Sequence, residues 1–415
     1  MLERVPLLPK HLHDYCDVVA PGTVERIEAL ARPLAGARIL HVNATAYGGG
    51  VAELLATHVA LLRSVGVDAE WQVMSGSDEF FGVTKMMHNA LQGASVTWGA
   101  AQERIYLEKV HDNALRLEGE WDYIVMHDPQ PAAMRAMVRG HPFDRPDTKW
   151  IWRCHIDLTE ANDAVWSFLR PYVEEHDASV WTMPEFVPAS LHMDKVVIAP
   201  PCIDPLSVKN LDLGEPFVRE ICRKYGVDVD RPLLVQVSRF DPWKDPVGVI
   251  EAFRKVRAEV DGVQLVLAGS MATDDPEGFH VWQEVQEAAG GDPDIKLLSN
   301  LQQVGSVEIN AFQRAADVVI QKSLREGFGL TVSEGLWKGR PVIGGRAGGI
   351  CLQIDDGVDG YLVDSVEECA ARAIDLLGDR ARADRMGAAG REHVRVNFLS
   401  TRELEDWLRL FSDLA

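Results

Sequence analysis

Two glutamates stand on either side of a glycine turn in residues 326–334, which read EGFGLTVSE. Glycines let the backbone approach a ligand closely, and a helix beginning after them would direct its free N–H groups at an anion such as phosphate. Glu326, before the turn, could then accept hydrogen bonds from a sugar, and Glu334, one turn into the helix, could accept them from a ribose diol. The predicted ligand-binding turn consists of Gly327, Phe328, Gly329, Leu330 and Thr331.

Two cations follow a different predicted strand, LLVQVS at residues 233–238, in the segment RFDPWKD. Arg239 and Lys244 are therefore expected just beyond the carboxyl end of that strand, where open parallel sheets bind ligands. A cation in such a place is often only solvated. Two of them at one strand end, with a glycine turn after the strand at 317–321, favour a diphosphate site.

A second glycine-rich loop follows the first predicted strand, in NATAYGGGVAE at residues 43–53. Gly48, Gly49 and Gly50 could let the backbone approach a phosphate. The sequence is not G-x-G-x-x-G, so it does not indicate a dinucleotide site. A plain strand-to-helix turn remains an equally good interpretation.

Polar residues also follow the strands predicted at 122–128 and 149–155. Asp128 lies in HDPQP, and Arg153 and His155 lie in RCHID. A histidine here could be a satisfied core residue, but its position at a strand end favours the ligand site.

Short apolar runs alternate with segments that have helical spacing, such as 51–66, 247–259 and 367–378. Runs without clean polar alternation predict parallel strands covered on both faces. Two such series predict an α/β fold of two Rossmann-like, doubly wound domains that face each other across a cleft. The predicted strands are residues 37–43, 69–74, 122–128, 149–155, 179–183, 195–200, 233–238, 263–269, 295–299, 317–321, 341–345 and 360–363.

The domain boundary is predicted near APPCIDPLS at residues 199–207, where the prolines suit a linker. The predicted domains are therefore 1–200 and 201–399. Residues 400–415 form an amphipathic helical pattern that could pack back on the first domain.

Composition excludes several classes of protein. The 415 residues carry a formal net charge of −21, which argues against nucleic acid as a partner because phosphate backbones need a positive surface. The start of the chain has no apolar leader, and no segment has the roughly 18 apolar residues of a membrane span. The six cysteines include no C-x-x-C pair. We therefore expect a soluble, cytoplasmic protein that does not associate with membranes.

A metal site is not expected. The D-x-D pair Asp228 and Asp230 precedes a predicted strand, so it should lie at the opposite edge of the sheet from the ligand site. Arg239 and Lys244 would replace a metal at the diphosphate.

The segments SRFDPWKD and EGFGLTVSEG, within this two-domain pattern, resemble the retaining GT-B glycosyltransferases of family 4. The resemblance implies that Arg239 and Lys244 hold the donor diphosphate and that Glu326 and Glu334 contact the donor sugar and ribose. It also places His155 near the donor sugar.

Longer segments are similar to the trehalose synthase subgroup, notably VNATAYGGGVAELL, GSDEFFGVTKMMHNALQG and WRCHIDLT. This resemblance implies that NDP-glucose and glucose give α,α-trehalose and NDP, reversibly, by a front-face reaction. Asp128 and Arg153 are then the predicted acceptor contacts, and residues 48–50 belong to the donor site. A homodimer without a resident cofactor is expected, and stimulation by Mg²⁺ acting on the nucleotide is left open.

Other functions remain as alternatives. Fungal-type trehalose phosphorylases resemble the same segments, and such an enzyme would use inorganic phosphate in place of the nucleotide diphosphate. An NDP-sugar epimerase or hydrolase would act without glucose. A sugar-nucleotide sensor would bind ligand without turnover. The base preference among UDP, ADP and GDP is not indicated by the sequence.

Overall fold

The computed structural model describes residues 2–47, 49–141, 143–269 and 276–415, with the side chains of these residues except those of 276 and 277. The chain divides into two compact units. One consists of Met1–Pro201 together with Ser400–Ala415, and the other of Cys202–Leu399.

In the first unit, the described strands form one sheet in the order β1-β3-β2-β4-β5-β6-β7. All pairings are parallel except that of β1 with β3. The strands are β1 (Glu3–Arg4), β2 (Arg38–Asn43), β3 (Asp68–Val73), β4 (Tyr123–His127), β5 (Lys149–Arg153), β6 (Ala178–Trp181) and β7 (Val196–Ile198). The helices are α1 (Thr23–Ala31), α2 (Gly50–Ser64), α3 (Asp78–Leu91), α4 (Ala100–Ala114), α5 (Met134–Met137) and α6 (Asp163–Val173).

In the second unit, the described strands form a parallel sheet in the order β10-β9-β8-β11-β12-β13. The strands are β8 (Leu233–Val237), β9 (Gln264–Gly269), β10 (Ile295–Ser299), β11 (Val318–Gln321), β12 (Val342–Gly345) and β13 (Gly360–Val363). The helices are α7 (Glu215–Lys224), α8 (Pro246–Arg257), α9 (Pro276–Ala289), α10 (Ser306–Ala315), α11 (Leu330–Trp337), α12 (Ile350–Gln353), α13 (Val366–Gly378) and α14 (Arg380–Asn397).

The strand order determines where each sheet can bind a ligand. It reverses direction between β2 and β4 in the first unit and between β8 and β11 in the second. Such a switch point opens a crevice beyond the carboxyl ends of the two strands. The candidate residues of the first unit follow β2, β4 and β5, and those of the second follow β8 and β11, so each set lies at or beside the crevice of its own sheet.

All twelve predicted strands are present, with boundaries within two residues of the prediction. Strands β4 and β8 are buried at every position, which explains their unbroken apolar character. The sequence did not indicate β1, because this exposed two-residue strand has no apolar pattern.

The last helix, α15 (Ser400–Leu414), packs within the first unit. Its apolar face buries Leu404, Trp407 and Phe411. The Tyr123 hydroxyl of β4 donates a hydrogen bond to the Phe411 carbonyl oxygen at 2.8 Å. The end of the chain is therefore part of the core beneath the first sheet.

We expect Phe411→Ala to destabilise the first unit, because Phe411 is completely buried and contacts the Tyr123 ring. Truncation of a buried phenylalanine costs about 3–5 kcal/mol. Urea unfolding should show the loss, whereas Ser412→Ala, at an exposed position of the same helix, should behave like the wild type. Equal stability of the two variants would show that α15 contributes little to the core.

Candidate active site

The crevice of the second sheet contains an ion pair between two of the predicted residues. The Lys244 ammonium nitrogen lies 2.6 Å from Glu326 Oε2. The Ser323 hydroxyl donates to the same carboxylate oxygen at 3.1 Å. Both side chains of the pair are largely buried, with 16% and 10% of their surface exposed. The structure thus brings together a cation and a carboxylate that the sequence predicted separately.

Lys244 is positioned by two consecutive turns after β8. Residues Pro242–Lys244 form a short 3-10 helix, and the Asp241 side chain accepts a hydrogen bond from the Trp243 N–H at 2.9 Å. Asp245 has a left-handed backbone, with φ of 49°, and caps α8 through the Gly248 N–H. Gln236 of β8 donates to the Lys244 carbonyl oxygen at 2.8 Å. These bonds fix the lysine backbone against the strand.

The turn between β11 and α11 requires its glycine at position 329. Gly329 has a φ of 86° and caps α11, and a Cβ there would lie 3.0 Å from Glu326 Cγ. The Phe328 carbonyl oxygen accepts a hydrogen bond from Gln353 Nε2 at 2.5 Å. A Cβ on Gly349 would lie 2.5 Å from Phe328 Cα, so glycine is needed on the neighbouring segment too. The predicted helix start after Gly329, at Leu330 and Thr331, is confirmed.

Arg239 remains largely accessible beyond β8. Its side chain is 53% exposed, and its guanidinium lies 3.4 Å from Asp241 Oδ2. Arg239 is therefore an exposed cation after β8, in contrast to the largely buried Lys244.

Glu334 is enclosed more than the sequence suggested. The residue is completely buried in α11, and Lys209 Nζ lies 3.3 Å from its Oε1. Gln313 Nε2 donates to the other carboxylate oxygen at 3.4 Å. Contact with a ribose stays a prediction. Lys209 was not predicted, because it follows the domain boundary and is far from Glu334 along the chain.

The glycine loop of the first unit connects β2 to α2. Gly48 lies outside the described residues. Gly49 has an extended backbone and caps α2, which begins at Gly50. A Cβ on Gly49 would meet nothing within 4 Å, so local packing does not require a glycine there. A role in binding phosphate stays a prediction.

Asp128 and His155 are joined in the first unit. Asp128 Oδ1 accepts a hydrogen bond from the His155 backbone N–H at 2.8 Å, and Asp128 has a left-handed backbone with φ of 67°. Burial raises the pKa of Asp128 to about 7, although the His155 N–H and the Arg153 charge act in the opposite direction. The carboxyl group therefore positions His155, and its predicted contact with an acceptor remains untested.

Arg153 is buried, with only 1% of its surface exposed, and it donates a hydrogen bond from Nη2 to the Ala199 carbonyl oxygen at 2.8 Å. Contact between Arg153 and an acceptor stays a prediction, and the burial of the side chain does not favour it. The physical reason is that the buried guanidinium is already bonded to the backbone carbonyl of the residue after β7, which leaves little of it accessible to a sugar.

His155 Nε2 lies 3.0 Å from His127 Nδ1, a neighbour that the sequence reasoning missed. Burial, followed by the Arg153 charge, holds the pKa of His155 well below its usual range. The imidazole is therefore neutral near pH 7. The signal for His127 was its place at the end of β4, next to Asp128.

Among the described residues, no group of three or more His, Cys, Asp or Glu side chains is placed to hold a metal ion. Within the same ranges, no helix is both long and apolar enough to cross a bilayer.

Comparison with known proteins agrees with this architecture. Residues 217–393 match the model described as glycosyl transferases group 1. The solved structure of an α,α-trehalose-phosphate synthase (UDP-forming) from Burkholderia xenovorans superposes with a TM-score of 0.72 at 14% identity, covering 91% of this chain and 100% of that one. With its two Rossmann-like domains, the protein is a glycosyltransferase of the GT-B fold.

The first unit narrows the assignment, because residues 41–188 match the model of the trehalose synthase N-terminal domain. A trehalose synthase from Rubrobacter xylanophilus is 51% identical over 417 residues, which cover 100% of this chain and 99% of the relative. The chain belongs to the trehalose synthase family. A trehalose phosphorylase from Grifola frondosa is more distant, at 29% identity over 96% of this chain and 60% of the relative.

We predict that Asp128→Asn changes the pH dependence of stability. An aspartate ionises near pH 4 when unfolded, and in the folded protein burial moves the pKa of Asp128 to about 7. The wild type therefore loses stability as the pH rises through this interval, and the variant, which cannot ionise, does not.

Thermal unfolding at about pH 5 and about pH 8 tests this expectation. We expect the variant to gain stability relative to the wild type when the pH is raised from about 5 to about 8. The gain should be about 1 kcal/mol or more, because one pKa unit corresponds to about that free energy. A difference that is the same at both pH values would mean that Asp128 ionises normally.

Proposed function

We propose that this enzyme transfers glucose from an NDP-glucose to glucose, with retention, and releases α,α-trehalose and NDP. The observation that carries the proposal is the Lys244–Glu326 pair beside the glycine turn, at the switch point of the second sheet. The naming of the 51% identical relative as a trehalose synthase supports the product.

The second unit would bind the donor. Lys244, Arg239 and the N-terminus of α11 would stabilise the negative charge that grows on the departing diphosphate. Glu326 would accept hydrogen bonds from donor-sugar hydroxyls, and its contacts with Lys244 and Ser323 hold the carboxylate in place.

The proposed bond changes are those of a front-face reaction. The bond between glucose C1 and the phosphate oxygen breaks, and a bond between C1 and the acceptor oxygen forms on the same face. The acceptor's proton goes to the departing phosphate oxygen, so no protein base is required. Lys244 and Arg239 supply the positive charge at the diphosphate, and Mg²⁺ would act only through the nucleotide.

The first unit would bind the acceptor glucose near the ends of β4 and β5. Asp128 accepts a hydrogen bond from the His155 backbone N–H, and the imidazole would contact a sugar hydroxyl. Asp128 and Arg153 would then act mainly by holding the residues at the ends of β4 and β5 in position.

The proposed reaction is tested by product analysis. We expect NDP-glucose and glucose to give a disaccharide with a single set of glucose resonances by NMR, because α,α-trehalose is symmetric. UDP-, ADP- and GDP-glucose should be assayed separately. An unsymmetric product, or NDP-glucose breakdown without added glucose, would contradict the proposal.

The phosphorylase alternative predicts a different requirement. It would form glucose 1-phosphate from trehalose and inorganic phosphate without any nucleotide. We expect no such product, and we expect trehalose cleavage to depend on added NDP. Phosphate-dependent cleavage in the absence of NDP would favour the alternative.

Lys244→Ala and Arg239→Ala should each lower kcat by about 100-fold or more, as expected for loss of one preorganised group at a developing charge. Thermal midpoints should stay within a few degrees of wild type. Lys255→Ala is the matched control, because this exposed lysine of α8 pairs only on the surface with Glu367 at 3.2 Å. Near-normal turnover in either site variant would rule out the diphosphate assignment.

A further inference from the structure

Three histidines form a continuous chain beneath the ligand-binding edge of the first sheet. His41 Nδ1 lies 3.0 Å from His127 Nε2, and His127 Nδ1 lies 3.0 Å from His155 Nε2. The residues come from β2, from the end of β4 and from the segment after β5. The chain thus leads from the interior of the sheet to the candidate site.

All three imidazoles are neutral. Burial, the largest cause, lowers the pKa of each histidine well below its usual range. The neighbouring histidines lower the pKa of His41 and His127 further, and the Arg153 charge lowers that of His127 and His155. A neutral imidazole has one N–H donor and one bare nitrogen acceptor.

This chemistry couples the tautomers along the chain. Each N···N contact needs a donor on one side and an acceptor on the other. If His41 donates from Nδ1, His127 must accept at Nε2 and donate from Nδ1, and His155 must accept at Nε2. His155 then carries its proton on Nδ1. The only other consistent arrangement reverses every bond and leaves a proton on His41 Nε2.

The interior end of the chain distinguishes the two arrangements. His41 Nε2 is buried and has no hydrogen-bond partner among the described residues. The His41 ring packs against two other rings, and the His58 and Trp407 centroids lie 5.3 Å and 5.9 Å from that of His41. Among buried backbone groups, an N–H without an acceptor is rarer than a carbonyl oxygen that lacks a donor, and we apply the same preference to the imidazole. A bare His41 Nε2 is therefore favoured.

We propose that His41 and His127 are positioning residues that hold His155 in the Nδ1–H tautomer, so that His155 donates a hydrogen bond to a sugar oxygen of the substrate. Neutral histidine in water prefers the Nε2–H form, so the chain selects the less common one. The tautomer itself depends only on the geometry of the first unit, whereas its use on a sugar rests on the proposed function.

The first test is a ¹⁵N–¹H spectrum of the histidine side chains in the full-length protein without substrate. His155→Asn identifies the His155 signals by their loss. His176 provides an internal reference, because its Nδ1 lies 3.1 Å from two backbone carbonyl oxygens and must carry the proton. We expect His155 to share the His176 pattern, with a protonated Nδ1 and a bare Nε2. A protonated His155 Nε2 would overturn the proposal.

The second test separates positioning from packing. His127→Leu removes the donor to His155 Nε2, so the His155 signals should shift towards the Nε2–H form, and kcat/KM should fall by about tenfold, the effect of one lost neutral hydrogen bond. His127→Asn has an amide N–H donor, so it should partly restore both the Nδ1–H form of His155 and kcat/KM.

An unchanged His155 tautomer in folded His127→Leu would contradict the proposal. If that variant does not fold, the wild-type spectrum still decides the question. A correct tautomer in a protein that makes no trehalose would leave the chain established and overturn only the proposed reaction.

Discussion

The ion pair between Lys244 and Glu326 is the contact on which the candidate site of the second unit depends. Two charges that are mostly removed from water need close geometry and further hydrogen bonds to offset their loss of hydration. The chain provides both. Gln236 and the turns after β8 fix Lys244, while Ser323 and the bare Gly329 shape the position of Glu326. The same glycine begins α11, so one turn serves both the carboxylate and the helix N-terminus.

In the first unit, the main constraint is the backbone conformation of Asp128. Asp128 adopts a left-handed conformation, which costs a non-glycine residue about 1–2 kcal/mol. The hydrogen bond from the His155 N–H to its carboxyl group and the bond from Trp152 Nε1 to its carbonyl oxygen help to offset that cost. The result is a rigid strand end that holds His155 against His127. Strain of this kind is often found at functional sites.

The sequence predicted the fold well because short apolar runs and helical spacing are local patterns. It also predicted that Glu326 and Lys244 would lie at strand ends, since strand ends follow from the strands themselves. It did not predict their direct contact, because they are 82 residues apart and meet only through the pairing of β8 with β11. The enclosure of Glu334 by Lys209 and the burial of Arg153 were missed for the same reason. Which side chains meet depends on how distant segments pack in the folded chain, and local residue patterns do not show this.

We propose that the Lys244–Glu326 pair receives the diphosphate and sugar of the donor. The decisive measurement is a crystal structure of the protein with the NDP-glucose that supports turnover. We predict phosphate oxygens within hydrogen-bonding distance of Lys244 Nζ and the Arg239 guanidinium, with glucose hydroxyls on the Glu326 carboxylate. A nucleotide sugar bound elsewhere, with the Lys244–Glu326 pair unchanged and no phosphate near it, would show that this pair is not the donor site.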